Sequence, residues 1–284
     1  MKKWYQSYLS IYGRRFADVP ADIIKGTRER LAALQSAEPL ASVVIIAYNE
    51  ETRLQACLWS ISEMECKYPV EVIGVDNDSA DRTAEVYQCS GIPYYTETKH
   101  SCGYARQCGL EHARGRYYFC IDADTLYPPH YFETMIERLM RPGVVAVSAL
   151  WSYFPNEQHS QLSLTLFEMC RDLFLWAQHF KRPELSVRGL VFAYDATYGR
   201  REPYRVDIKR GEDGSMALSL KKYGRISFVY SRRARAVTGY GTLNESSLLQ
   251  SLWKRIKIQG RGLARIFYKK DYYEDSPDNL IDKP

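Results

Sequence analysis

The chain has 284 residues, 45% of them hydrophobic, and a formal net charge of +5, enough for a substantial core in one large domain or two closely packed ones. No apolar run approaches the roughly 18 residues of a membrane span, and the start Met-Lys-Lys-Trp-Tyr-Gln-Ser lacks the unbroken apolar stretch of a signal peptide, so a cytoplasmic location is expected. Seven cysteines (57, 66, 89, 102, 108, 120 and 170) with no Cys-x-x-Cys pair point away from a disulfide framework or a zinc site.

Residues 1–40 carry aromatics (Trp4, Tyr5, Tyr8, Tyr12) and then a charged stretch, Asp22 to Leu34, predicted to be helical. They read as a lead-in that packs on the domain. Ser42-Val-Val-Ile-Ile-Ala47 is a continuous apolar run of strand length, as a parallel strand buried on both faces requires. Leu54, Leu58 and Ile61 have helical spacing within Glu50 to Ile61. Val70-Glu-Val-Ile-Gly-Val-Asp76 repeats the strand, and Ala80 to Gln88 repeats the helix, with Ser79 or Asp78 as its expected cap. A third round runs through 92–96 and 105–113, and the fourth strand is Tyr117 to Asp122. Strand-helix alternation at this spacing predicts a parallel sheet with right-handed crossovers.

Ligands of such sheets bind beyond the carboxyl ends of the strands. Three polar clusters fall there: Tyr48-Asn49-Glu50, Asp76-Asn77-Asp78 and Asp122-Ala123-Asp124. Any one of them is equally well a solvated loop, but three at successive strand ends are not easily so explained. Asp122 and Asp124, two apart in an extended run, would point to the same side and converge on one hard cation, Mg²⁺ or Mn²⁺. No Gly-x-Gly-x-x-Gly or Gly-x-x-x-x-Gly-Lys loop is present, so phosphates would have to be held through a metal.

Four segments in order, Val-Ile-Ile-Ala-Tyr-Asn-Glu50, Val-Asp-Asn-Asp-Ser-Ala-Asp-Arg-Thr83, Gly103-Tyr-Ala-Arg-Gln-Cys-Gly109 and Ile-Asp-Ala-Asp124, resemble the motif set of family 2 glycosyltransferases with the GT-A fold. The resemblance covers about residues 41–235. It implies an α/β fold with a mostly parallel central sheet and helices on both faces, and inverting, divalent-cation-dependent transfer of one sugar from a nucleoside diphosphate donor, UDP-sugar favoured over GDP-sugar. Carried over by residue, it implies that Ala47, Tyr48 and Glu50 line the nucleotide, that Asp76 accepts from the base, and that Arg106 lies near the nucleotide pocket. Asp122 would face the ribose and sugar and share the metal with its chief ligand, Asp124. Asn77-Asp78 and Gln107 depart from the family's usual Asp-Gly and Asn.

In the second half, Val144 to Leu150 is another buried strand, and Ser163 to Phe180 an amphipathic helix whose Leu164, Phe167, Leu173, Phe174 and Trp176 are expected in the core. Glu212 and Asp213 precede a helix; on residues alone they read as dipole partners or caps. The resemblance implies instead that Asp213, with Glu212 beside it, takes the proton of the acceptor hydroxyl. The expected organisation is therefore a lead-in (1–40), a catalytic domain (41–240) made of a nucleotide-sugar half (41–125) and an acceptor half (126–240), and a basic tail (241–284).

From Lys221 to Lys270 thirteen basic residues stand against one acid, Glu245. Leu249, Trp253, Ile256, Ile266 and Phe267 form apolar stripes beside Lys254, Arg255, Lys257, Arg261, Arg265, Lys269 and Lys270, the pattern of a helical amphipathic tail that either packs on the domain or lies on an anionic membrane's inner face. No recognition motif supports a nucleic-acid partner. The Gln-x-x-Arg-Trp motif of processive members is absent, Gln250-Ser-Leu-Trp253 being only loosely similar. The acceptor expected is a glycan or lipid-linked molecule; the alternatives are transfer to a polyprenyl phosphate and sugar-nucleotide binding without turnover.

Overall fold

The computed structural model describes residues 3–155 and 160–239; the basic tail from 241 onward lies outside them. α1 (Ala21–Leu34) leads into β1 (Ala41–Ala47), α2 (Leu54–Ser62), β2 (Val70–Asp76), α3 (Thr83–Ser90), β3 (Tyr94–Thr96), α4 (Cys102–His112) and β4 (Tyr117–Asp122). β5 (Thr125–Leu126), α5 (Tyr131–Leu139), β6 (Val144–Ala149), β7 (Trp151–Tyr153) and α6 (Gln161–His179) come next. β8 (Phe192–Asp195), the short α7 (Ala196–Gly199), α8 (Glu212–Leu220), β9 (Arg225–Val229) and β10 (Ala236–Thr238) complete the described chain.

Seven strands form one sheet in the order β3-β2-β1-β4-β8-β6-β9. All neighbours are parallel except β8, which runs antiparallel to both β4 and β6. A small second sheet, β5-β10-β7, stands beside it. The apolar runs of β1 and β2 follow from helices on both faces. On one side Leu31, Leu54, Leu58, Phe132 and Ile136 of α1, α2 and α5 fill the core; on the other Ala105, Cys108, Met216 and Leu220 of α4 and α8 do. Each large side chain so buried contributes roughly 1.5–3 kcal/mol.

The lead-in is woven into this core. Tyr5, Tyr8, Ile11 and Phe16 are buried, and the Gly13 N–H donates to the Thr52 carbonyl at 2.8 Å. Two local expectations change. The cap of α3 is supplied by Asp81, whose carboxylate accepts from the Thr83 N–H at 2.9 Å, not by Ser79 or Asp78. Asp78 instead holds a left-handed backbone, φ 58°, the conformation for which glycine is the usual residue. In α6, Leu164 and Phe167 are buried as expected, but Leu173 and Trp176 are exposed. Periodicity revealed the stripes of that helix and not which of them faces inward.

Candidate active site

The β1 register sets Ala47 opposite Asp76 of β2 and Ile46 opposite Asp122 of β4. All three polar clusters therefore meet at one edge of the sheet, the carboxyl ends of its parallel strands. A cleft opens there, lined by Ala47, Tyr48, Glu50, Asn77, Arg106, Asp122, Asp124 and Glu212, among others.

Asp122 and Asp124 do converge on this cleft, though not by strand alternation. β4 ends at Asp122, and Asp124 sits in the turn into β5. That turn is fastened from outside the motif. The Tyr12 hydroxyl of the lead-in donates to the Asp124 carbonyl at 2.8 Å, while Thr125 and Thr238 hydroxyls donate to its Oδ1 at 3.0 and 3.4 Å. Burial pushes the Asp124 carboxyl up, and the charge of Asp122 adds to the push. Glu50 is pushed up to about 7, chiefly by burial; Arg53, at 2.6 Å, opposes the shift and Asp124 adds to it. Oε2 of Glu50 is the atom that Arg53 Nε approaches, without hydrogen-bond geometry, while Oε1 accepts from Arg53 Nη2 at 2.7 Å. A cleft with this much crowded carboxylate suits a cation. Among the described residues no three His, Cys, Asp or Glu side chains are grouped to hold a metal by themselves; a hard cation on Asp122 and Asp124 would need further oxygen donors.

Arg106 is 1% exposed. Its Nη1 donates to the Ile121 carbonyl at 3.1 Å and its Nη2 pairs with Asp122. On its other side Nε lies 3.6 Å from Asp213 Oδ1, and neither of those two buried atoms has a hydrogen-bond partner among the described residues. Asp213 is set by Gly211, whose left-handed φ of 101° starts α8. Burial first, and then the charge of Glu212, holds the Asp213 carboxyl well above its usual range. Gly189 closes the arrangement from behind: a Cβ there would lie 2.3 Å from Asp213 Oδ2 and 2.5 Å from Arg106 Nη2.

The remaining residues fall around the rim. Tyr48 is 53% exposed, its ring 5.3 Å from that of His100. Asp76 is 3% exposed, accepts from the Ser79 N–H at 3.4 Å and lies beneath the cleft wall; Asn77 lines it, anchored by its amide to the Glu97 and Lys99 carbonyls. Glu212 lines the cleft whereas Asp213 lies behind it. Tyr12, Thr238, Arg53 and Gly189 were not marked by the sequence, because each reaches the site only through long-range contact. Arg53, three residues from Glu50 at the entry to α2, had the nearest thing to a local signal.

The family description "Glycosyl transferase family 2" matches residues 42–204, more than half the chain and all of the strand-end clusters. The chain belongs to glycosyl transferase family 2. EpsH of Bacillus subtilis, described as a putative glycosyltransferase, is 28% identical over 246 residues, covering 79% of this chain and 67% of its own. Other curated glycosyltransferases, YfnE and EpsJ of Bacillus subtilis and RP339 of Rickettsia prowazekii, are matched over only 23% to 56% of their own lengths. Among solved structures, the mannosyltransferase PcManGT from Pyrobaculum calidifontis, in complex with GDP-Man and Mn²⁺, superposes with a TM-score of 0.57 at 19% identity over 88% of this chain and 74% of that one. Glucosyl-3-phosphoglycerate synthase from Mycobacterium tuberculosis, in complex with Mn²⁺, UDP-glucose and phosphoglyceric acid, gives 0.52 at 19% over 89% and 86%. These likenesses establish the GT-A fold for the family 2 chain.

Proposed function

We propose that this family 2 protein moves one sugar, with inversion, from a nucleoside diphosphate sugar to a hydroxyl of a glycan or lipid-linked acceptor. The observation that carries the reading is the chain Asp122–Arg106–Asp213, which ties the β4 carboxylate at the donor side to a buried carboxylate at the start of α8. Asp124 and Asp122 would hold Mn²⁺ or Mg²⁺, which when bound offsets the negative charge that grows on the departing diphosphate. Both solved neighbours named above hold Mn²⁺, one with a GDP-sugar and one with a UDP-sugar, so the reading extends to either base. Ala47, Tyr48, Glu50 and Asp76 would form the nucleotide wall.

In the transfer itself the acceptor oxygen bonds to the anomeric carbon on the face opposite the diphosphate, the glycosidic bond to phosphate breaks, and the hydroxyl proton passes to a carboxylate. Asp213 is assigned that role. Burial raises its affinity for the proton, which suits an acceptor of the hydroxyl proton, and the Arg106 guanidinium opposes the rise and favours the ionised form. A second reading has one observation in its favour: Glu212, not Asp213, lines the cleft. Single-turnover rates with saturating donor and acceptor decide between them. Asp213→Asn should cut transfer about 10²-fold or more with donor affinity retained, and Glu212→Gln less. The reverse order would move the base to Glu212, and no effect of either would favour a phosphate acceptor such as a polyprenyl phosphate, which needs no base.

A further inference from the structure

α6 packs the apolar Leu164, Phe167 and Leu175 on the domain and presents a second apolar stripe to solvent. It buries Glu168, Arg171 and Gln178 and turns Leu162, Leu166, Met169, Leu173 and Trp176 outward, with Phe180 just past its end; these six are 48% to 80% exposed. Most of these buried polar groups are paired, although Arg171 Nη1 has no hydrogen-bond partner among the described residues. Glu168 accepts from the Tyr153 N–H at 2.8 Å and the Ser152 hydroxyl at 2.7 Å, and Arg171 reaches the Trp151 carbonyl and stacks 4.3 Å over the Trp151 ring. Asp172 is paired by Arg171 and Arg235. The helix is therefore fixed in this orientation by several polar contacts and cannot roll its outer apolar stripe inward without breaking them. None of its exposed residues carries a charge.

Single exposed apolar residues need no explanation, but a contiguous uncharged stripe along five turns does. The acids beside it, Glu168 and Asp172, are paired with Arg235, and further basic side chains stand around it. Lys3 bonds to Gln161 at the helix start, exposed Lys181 follows Phe180 at its end, and exposed Arg232 borders the groove that Met169 and Tyr230 share. We propose that the outward face of α6 is a docking surface for an anionic lipid bilayer, with the helix lying in the interface plane, its apolar stripe among the acyl chains and its basic neighbours at the headgroups. A basic tail of this same chain would meet like charge at those neighbours. A helical partner read by a coiled-coil seam would find Ser163, Thr165, Cys170 and Ala177 beside the stripe, where charge pairs ordinarily set such a partner. The inference stands on α6 and its surroundings, not on the transfer reaction.

The test is sedimentation of the full chain with vesicles of phosphatidylglycerol in phosphatidylcholine and with pure phosphatidylcholine, across a salt series, alongside melting temperature and light scattering. Wild-type protein should sediment with the anionic vesicles at low salt and be released as salt rises. Leu166→Glu/Leu173→Glu should weaken that binding at least tenfold with melting temperature unchanged; if that pair lowers the melting temperature, Leu166→Gln/Leu173→Gln takes its place. Lys254→Glu/Arg255→Glu/Lys257→Glu in the tail should leave the greater part of the binding. Wild-type-like sedimentation of the α6 variant overturns the proposal, as does loss of binding only in the tail variant. A wild-type dimer that dissociates on the α6 substitutions and never meets vesicles would overturn it as well and assign the face to a second copy.

Discussion

At the scale of single residues the site is a short circuit of charge. Arg106, almost entirely buried at the cleft wall, is compensated by its two carboxylate neighbours and the Ile121 carbonyl in place of water. At Gly189 a Cβ would enter the space of both the Asp213 carboxylate and the Arg106 guanidinium, so one or both would have to shift. Gly189→Ala should therefore displace the pair, destabilise the fold by about 1–3 kcal/mol, and lower transfer at least tenfold while nucleotide affinity changes little. Thermal unfolding and steady-state rates check it; normal kcat would mean that Asp213 need not stand where it does. The identities of Asp122, Asp124, Glu212 and Asp213 were legible in sequence because carboxylates at strand and helix ends are conspicuous there. Their meeting with Arg106 and Gly189 was not, since nothing local in 106, 189 and 213 says that they touch.

At the scale of elements, the first four strands were legible because a strand buried on both faces has no choice but to be continuously apolar. β8, antiparallel between β4 and β6, left no such mark: direction is set by which neighbour it pairs with, and four residues do not record that. In α6 apolar residues stand on both faces, Leu164, Phe167 and Leu175 inward and Leu166, Leu173 and Trp176 outward, so the spacing alone does not say which stripe packs. The lead-in was read as packing, and it does pack, but through Tyr12 it also fastens the turn that carries Asp124. Tyr12→Phe removes that hydrogen bond alone. It should cost about 0.5–1.5 kcal/mol of stability and weaken Mn²⁺ binding in the presence of nucleotide several-fold, measured by electron paramagnetic resonance of free Mn²⁺. Unaltered Mn²⁺ affinity would reduce the lead-in to packing.

At the scale of the whole molecule, the carboxylates gathered at one edge of the sheet give the cation-free protein a characteristic pH dependence. Glu50, pushed up to about 7, and Asp76, Asp124 and Asp213, all raised chiefly by burial, bind protons more tightly folded than unfolded. Between their unfolded values, about 4, and their folded ones the native state holds the extra protons, so these groups lower stability as pH rises through that window and, for Glu50, up to about 7. In a chelator, the melting temperature should fall from pH 5 to pH 8, and Glu50→Gln should flatten the slope. Mn²⁺ bound at the proposed site would restore charge balance at the edge, so its stabilisation should grow over the same range; a cation effect equal at both ends would place the ion elsewhere.

The proposed nucleotide site, held at the sheet edge through a cation on Asp124, is tested most directly by calorimetric titration of UDP and GDP into the full chain, with Mn²⁺ and with a chelator. The expected result is affinity for at least one of them that is at least tenfold greater with Mn²⁺, the enhancement disappearing in Asp124→Ala while the protein stays folded. Equal affinity with the ion and with the chelator, or an undiminished Mn²⁺ enhancement in Asp124→Ala, would contradict it.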